Sequence, residues 1–253
     1  DRLLSRGLGD VYKRQAIMPT IFVALIGLLS WQVSWYVSII MSILILASVR
    51  FLAKTERNKG TRPQKEIHQI GMLKKSWKRS EMLRSWVFWA AVPGLMTSPM
   101  ITTTLFFHQV HLVEIKSWDL STYVLFIPAY SAATLFSLYL IGYLVDKLST
   151  KIILPVFLFP LISGLLLLSI ATSYLELLLI FILLGLSAGA YIVVYGTFFP
   201  EFFGSLYLGS VRTVGVTIMV FSSAIGPVLS GYFIDLGYLI DHQFKFFAAF
   251  SVF

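Results

Sequence analysis

The sharpest chemical signal in this chain lies within ten residues, Gly142-Tyr-Leu-Val-Asp146-Lys147-Leu-Ser149-Thr-Lys151. A glycine lets two helix ends approach, an acid one turn later can cap or face a neighbouring helix N-terminus, and lysines suit headgroups or carboxylates. A turn that carries charge between helices is what these types at this spacing support. Catalysis finds less: no His, Asp and Glu gather within a helical turn or two, and no phosphate-binding glycine loop is present. Zero cysteines exclude disulfides, thiolate nucleophiles and thiolate metal sites.

Hydroxyls form a second group of candidates. Pro93, Gly94 and Pro99 interrupt one apolar run beside Thr97, Ser98, Thr102, Thr103 and Thr104. Each proline removes a backbone hydrogen bond, and hydroxyls or a ligand can take up the freed carbonyl. Such breaks border a transport path, or simply kink packed helices, and both readings stay open. Gly226 and Pro227, in Gly226-Pro227-Val-Leu-Ser-Gly231, read as packing and hinge. Gly185 and Gly189 have the small-x-x-x-small spacing of close helix contact. Tyr191 and Tyr195 follow at i and i+4, so their hydroxyls share one face. With Thr97, Thr102, Tyr130, Ser131 and Thr134 they are candidate cavity-lining residues; lipid-edge or packing roles are the alternative for each tyrosine. His108 and His111 read as interfacial.

The elements that must hold these residues are set by composition. The chain is 57% hydrophobic and 13% charged, with a mean hydropathy of +0.82, whereas a soluble domain has about 25% charged residues. Apolar runs lack period-two alternation, so they are helices and not barrel strands. The fold class is all-α, a polytopic transmembrane bundle. Spans are expected at 16–30, 34–53, 86–108, 121–145, 152–171, 174–199 and 213–234, with another begun before Phe253. No Asp, Glu, Lys or Arg falls mid-span, which leaves no buried proton carrier or counter-ion in them. Residues 1–15 are arginine-bearing and unpatterned, and read as a non-native leader.

Charge gives the orientation. The stretch Arg50–Arg84 holds 11 of the 20 Lys and Arg, and counting alternate loops puts 14 on its side of the membrane against 2 on the other. That imbalance places residues 54–85 in the cytoplasm of a plasma membrane protein. The net charge of +8 is thereby a topology signal, and no nucleic-acid partner is expected. Trp31, Trp35 and Trp118 fall at the expected outer edge, and Trp86 and Trp89 at the inner one. Within the loop, Ile67, Ile70, Leu73 and Trp77 recur near helical spacing among lysines, which suits a basic amphipathic helix on the leaflet or a solvated linker.

The turn at Gly142 resembles the cytoplasmic motif of the major facilitator superfamily, Gly-x-x-x-Asp-(Arg/Lys)-x-Gly-x-(Arg/Lys)-(Arg/Lys), in its copy between the eighth and ninth helices. Gly142, Asp146, Lys147 and Lys151 match; Ser149 stands where the family prefers glycine, and Thr150 where it often has a basic residue. A second motif-like turn, Pro200-Glu201-Phe-Phe-Gly204, and the basic central loop fall in the family's order. The resemblance covers nearly everything from Ala16 onward. It implies a partial fold: 16–53 as the last two helices of the N-terminal half, 54–85 as the central loop, and 86–253 as the C-terminal six-helix half, cut in its last helix, with the first four helices absent.

The resemblance implies a gating role for Asp146 and Lys147, with Glu201 and Arg212 as a second charged pair on the same face. It also implies a gradient-driven carrier working by alternating access, not an enzyme, that needs no cofactor. Its partners are a small-molecule solute and the lipid bilayer, and it is monomeric when full length. The segment from Phe107 to Trp118 looks like bacterial members grouped near carriers of small organic anions; drug or sugar porters are the alternative. A seven-helix photoreceptor is disfavoured, because the span 213–234 contains no lysine.

Overall fold

The computed structural model describes residues 31–57 and 70–251. The chain divides into two compact units, Asp1–Ile67 and His68–Phe253. In the first, helix α1 runs over Trp31–Arg57, which contains the expected span 34–53. Its apolar side chains, Trp35, Ile39, Ile43 and Leu46 among them, are exposed all round, as suits a helix solvated by lipid or by other apolar helices. The expected span 16–30 and the leader lie outside the described residues.

The second unit begins with α2 (Arg79–Met82), α3 (Trp86–Phe107), α4 (Gln109–Ile115), α5 (Leu120–Leu125) and α6 (Ile127–Leu148). It continues with α7 (Thr150–Ile153), α8 (Phe159–Ile170), α9 (Tyr174–Phe203), α10 (Leu208–Asp235) and α11 (Ile240–Phe250). Among the described residues there is no strand. Four segments of the described residues are long and apolar enough to cross a membrane: Trp86–Phe107, Leu120–Leu148, Tyr174–Phe203 and Leu208–Asp235.

Two parallel pairs organise the unit, α6 along α9 and α3 along α10, while α8 packs against α9 and α11. Absent side chains make the first pair close: a Cβ on Gly185 would collide with the Tyr130 carbonyl oxygen, and one on Gly189 with that of Thr134. The small-residue spacing therefore acts as read, since bare backbone is what lets the two helices touch. In the second pair, a Cβ on Gly226 would lie 2.5 Å from both Met100 O and Thr104 Oγ1. His108 Nε2 lies 3.0 Å from the Pro227 carbonyl, tying the end of α3 to the middle of α10. One apolar core joins Leu161, Leu165, Leu168, Leu177 and Phe244. Another gathers Met82, Phe88, Phe198, Phe199, Phe203 and Val211 where α3 and α10 begin and α9 ends. We call that end of the unit the basic end.

Several expectations are corrected. Pro93 and Pro99 do not interrupt α3, which is helical throughout. Thr97 and Thr103 donate to the carbonyls of Pro93 and Pro99 themselves, each at 2.7 Å, four residues back along the helix. The carbonyls that a proline orphans are those of residues 89 and 95, so these hydroxyls do not repair the breaks. The expected span 152–171 is split, with Pro155 between α7 and α8 and Pro160 at the start of α8. Trp118 is held by the protein: it is buried, and its Nε1 donates to Thr172 O at 3.0 Å. The loop between α4 and α5 is further pinned by an ion pair, Lys116 Nζ to Asp241 Oδ1 at 2.9 Å, joining it to α11.

Over residues 70–78 the chain is not an amphipathic helix. It has a single 3-10 turn over Met72–Lys74, with Leu73 and Lys74 at φ 59° and 52°. Tertiary contact overrides the periodicity, because Gly71 lies against the backbone of Phe202, Phe203 and Gly204, and a side chain there could not fit. Trp77 N donates to Phe203 O at 2.9 Å, satisfying a carbonyl at the end of α9. Ile67 lies outside the described residues.

Candidate functional site

At the basic end a cleft of about 440 Å³ opens between α6 and α9, lined by Val145, Asp146, Lys147, Leu148, Ser149, Thr197, Pro200 and Glu201. The C-terminus of α6 carries the first five, and the last turns of α9 carry the others. Three of the charged residues picked from sequence, Asp146, Lys147 and Glu201, are thus brought together, although they come from two turns some fifty residues apart. Glu201 Oε2 accepts from Thr150 N at 2.9 Å, so a carboxylate on α9 caps the first turn of α7. Thr150 Oγ1 adds a bond to Thr197 Oγ1 at 2.8 Å, and Thr150 is fully buried. Thr150, which departs from the family's basic preference, here serves as the joint between α6–α7 and α9.

The lysines turn to aromatic rings: Lys147 Nζ lies 4.5 Å from the centroid of Tyr143, and Lys151 Nζ 5.9 Å from that of Phe202. Asp146 is exposed, and nothing lies within 4 Å of a Cβ built on Gly142, so this face of α6 is open. Ser149 has φ 70° and ψ 156°, a backbone region that belongs to glycine. Arg212 does not pair with Glu201. Among the described residues the ion pairs are Lys75–Glu81 and Lys116–Asp241. The Arg212 guanidinium instead lies 5.9 Å from the ring of Tyr195.

A second feature runs up α9. The hydroxyls of Ser187, Tyr191 and Tyr195 are buried and meet no hydrogen-bond partner among the described residues. They stand at i, i+4 and i+8 and so form one row, with Arg212 beside its basic end. The rings of Tyr191 and Tyr195 are 5.7 Å apart. A buried hydroxyl left unpaired costs roughly 1–3 kcal/mol, so three in a row call for an explanation. Ser187 was overlooked in the sequence although it stands one turn before Tyr191, on the same face.

The other candidate lining residues sit elsewhere. Thr102 and Tyr130 border an enclosed void of about 10 Å³ beside Tyr123 and Phe181, room for about one water. Thr97 and Thr134 are buried, and they spend their hydroxyls on carbonyls of their own helices. Ser131 does the same, donating to Ile127 O at 3.3 Å. Pro93, Pro99, Gly226 and Pro227 all lie inside continuous helices. Among the described residues no group of His, Asp and Glu could hold a metal ion.

A charged turn between parallel, glycine-packed membrane helices, beside a row of orphaned hydroxyls, has a counterpart among known families. No curated protein matches the chain. The model of the Major Facilitator Superfamily matches residues 15–227. The chain is therefore an integral membrane protein of transporter type, and it belongs to the Major Facilitator Superfamily.

Proposed function

We propose that this chain is part of a secondary carrier that moves a small organic anion across the plasma membrane by alternating access, driven by a gradient and without a cofactor. The observation that carries the reading is the row Ser187, Tyr191 and Tyr195, whose buried hydroxyls lack partners and end beside the Arg212 guanidinium. Donors awaiting an acceptor, next to a cation, suit a carboxylate. The drug and sugar porter readings make less use of Arg212.

In this reading Gly142, Asp146, Lys147, Lys151 and Glu201 gate the basic end, which faces the cytoplasm together with residues 54–85. Glu201 ties α9 to α7 through Thr150, so a change at the turn reaches the hydroxyl row along one helix. The carrier works as a monomer with no nucleic-acid partner. Proteoliposome uptake by the full-length carrier, with and without a proton gradient, tests the coupling, and the absence of any gradient effect would remove a proton-driven mechanism. Tyr191→Phe and Tyr195→Phe should raise the KM for an anionic substrate while leaving protein yield intact. An unchanged KM in both would remove the hydroxyl row from the site. Asp146→Asn should slow uptake without altering membrane insertion, and unchanged transport rates would sink the gating role.

A further inference from the structure

The segment Ile70–Arg79 offers to its surroundings what a folded loop usually hides. Ile70 is 63% exposed and Leu73 is 83% exposed. Leu73 also holds φ 59°, a conformation that a leucine adopts only at a cost. No packing within the unit offsets that cost, since the side chain points outward. Lys74, Lys75, Lys78 and Arg79 surround it and are exposed, with Glu81 as the acid nearby, paired to Lys75 at 2.7 Å. The segment is nevertheless not loose. Gly71 is wedged on the backbone of Phe202–Gly204. Trp77 donates to Phe203 O at 2.9 Å, stacks edge-on to the Phe203 ring at 5.9 Å, and gives its Nε1 to Met72 O at 3.2 Å. The chain then enters the membrane-spanning α3 at Trp86, which is 78% exposed, so the segment lies at the edge of the bilayer.

We propose that Ile70–Arg79 is a docked clamp for the anionic phospholipid headgroups of the leaflet at the basic end. Leu73 and Ile70 enter the interface as apolar pegs, and the surrounding cations meet lipid phosphates. Because the clamp is bonded to Phe203, headgroup occupancy bears on the end of α9.

The chain has no cysteine, so Leu73→Cys can be labelled uniquely with an environment-sensitive fluorophore. The purified protein is placed in nanodiscs of phosphatidylcholine alone or mixed with phosphatidylglycerol and quenched with neutral acrylamide. Quenching should fall in the anionic discs, recover at high salt, and show no lipid dependence once Lys74→Gln, Lys78→Gln and Arg79→Gln are added. Each cation removed should weaken the headgroup attraction roughly fivefold. Ile70→Cys serves as a second label site should Leu73→Cys disturb the turn. Equal quenching in the two lipids at both sites, or a lipid effect that survives the triple substitution, overturns the proposal.

Discussion

Replacing Ser149 by glycine should stabilise this protein. Ser149 joins α6 to α7 at φ 70° and ψ 156°, where a Cβ is strained at a cost of about 1–3 kcal/mol. Glycine releases that strain but gains freedom in the unfolded chain, which takes back about 0.4–1 kcal/mol. At the centre of those ranges the net gain is about 1.3 kcal/mol. A unit of this size shifts by about 2–4 °C per kcal/mol, so the unfolding midpoint should rise by about 3–5 °C. The assay is the fraction of monodisperse protein left after heating in mild detergent. Ser149→Ala is the control, because it keeps the Cβ and should show no gain. Both variants retain the bond from Thr150 N to Glu201, which is made by backbone. A midpoint that is unchanged or lower in Ser149→Gly, or that rises equally in Ser149→Ala, would refute the argument from backbone strain.

Other substitutions separate packing from charge. Gly185→Ala should cost at least about 1–3 kcal/mol and cut the yield of folded protein, because its Cβ meets the backbone of α6. Gly142→Ala, with open space around it, should instead stabilise its helix by about 0.5–1 kcal/mol, which the same heating assay reads. Lys116→Met should lower the midpoint by leaving Asp241 beside a lost partner, at about 1–3 kcal/mol once solvent screening of the half-open carboxylate is allowed for. Adding Asp241→Leu should restore most of that loss. The Glu81 carboxyl is held below its ordinary value by the hydrogen bond from Lys75 and then by that from Lys78 N. Its stabilisation is present above the unfolded pKa and is lost as pH falls through the lower folded value. Midpoints measured down an acid series should lose this limb in Glu81→Gln.

What the sequence made legible follows from what lipid demands. Apolar length reported the long helices, since a crossing must be about 20 residues and nearly free of charge. Gly185 and Gly189 have a spacing frequent in membrane helices, so the sequence allowed a close contact and the structure supplies its partner, α6. The turn at Gly142–Lys151 was readable because charge between apolar runs is costly, and the structure brings Asp146, Lys147 and Glu201 to one cleft. Pairing was not readable: Glu201 and Arg212 are opposite in charge and near in sequence, yet Glu201 bonds Thr150 and Arg212 lies against Tyr195. The loop before α2 was misleading for a similar reason. Ile70, Leu73 and Trp77 have helical spacing, but only the fold shows that Gly71 must fit against the end of α9. Trp118 could pass for an interfacial ring until its burial by the loop around Thr172 was known.

Helix α8 has 12 residues, about 18 Å of rise, against a hydrocarbon core of about 30 Å. The difference falls on α7 and the turn between them, whose Ile152 and Val156 are exposed, as is Phe159 where α8 begins. The turn is fit for lipid, because the amides of Leu154, Val156, Phe157 and Phe159 all donate to carbonyls within it or α7. A thinner bilayer leaves this corner relaxed, while a thicker one pulls on it at fractions of a kcal/mol per Å. The corner abuts Ser149 and Thr150, which belong to the charged turn. Hydrophobic mismatch is therefore delivered beside the open cleft between α6 and α9, and in the proposed carrier the acyl-chain length of the host membrane becomes a setting of the gate.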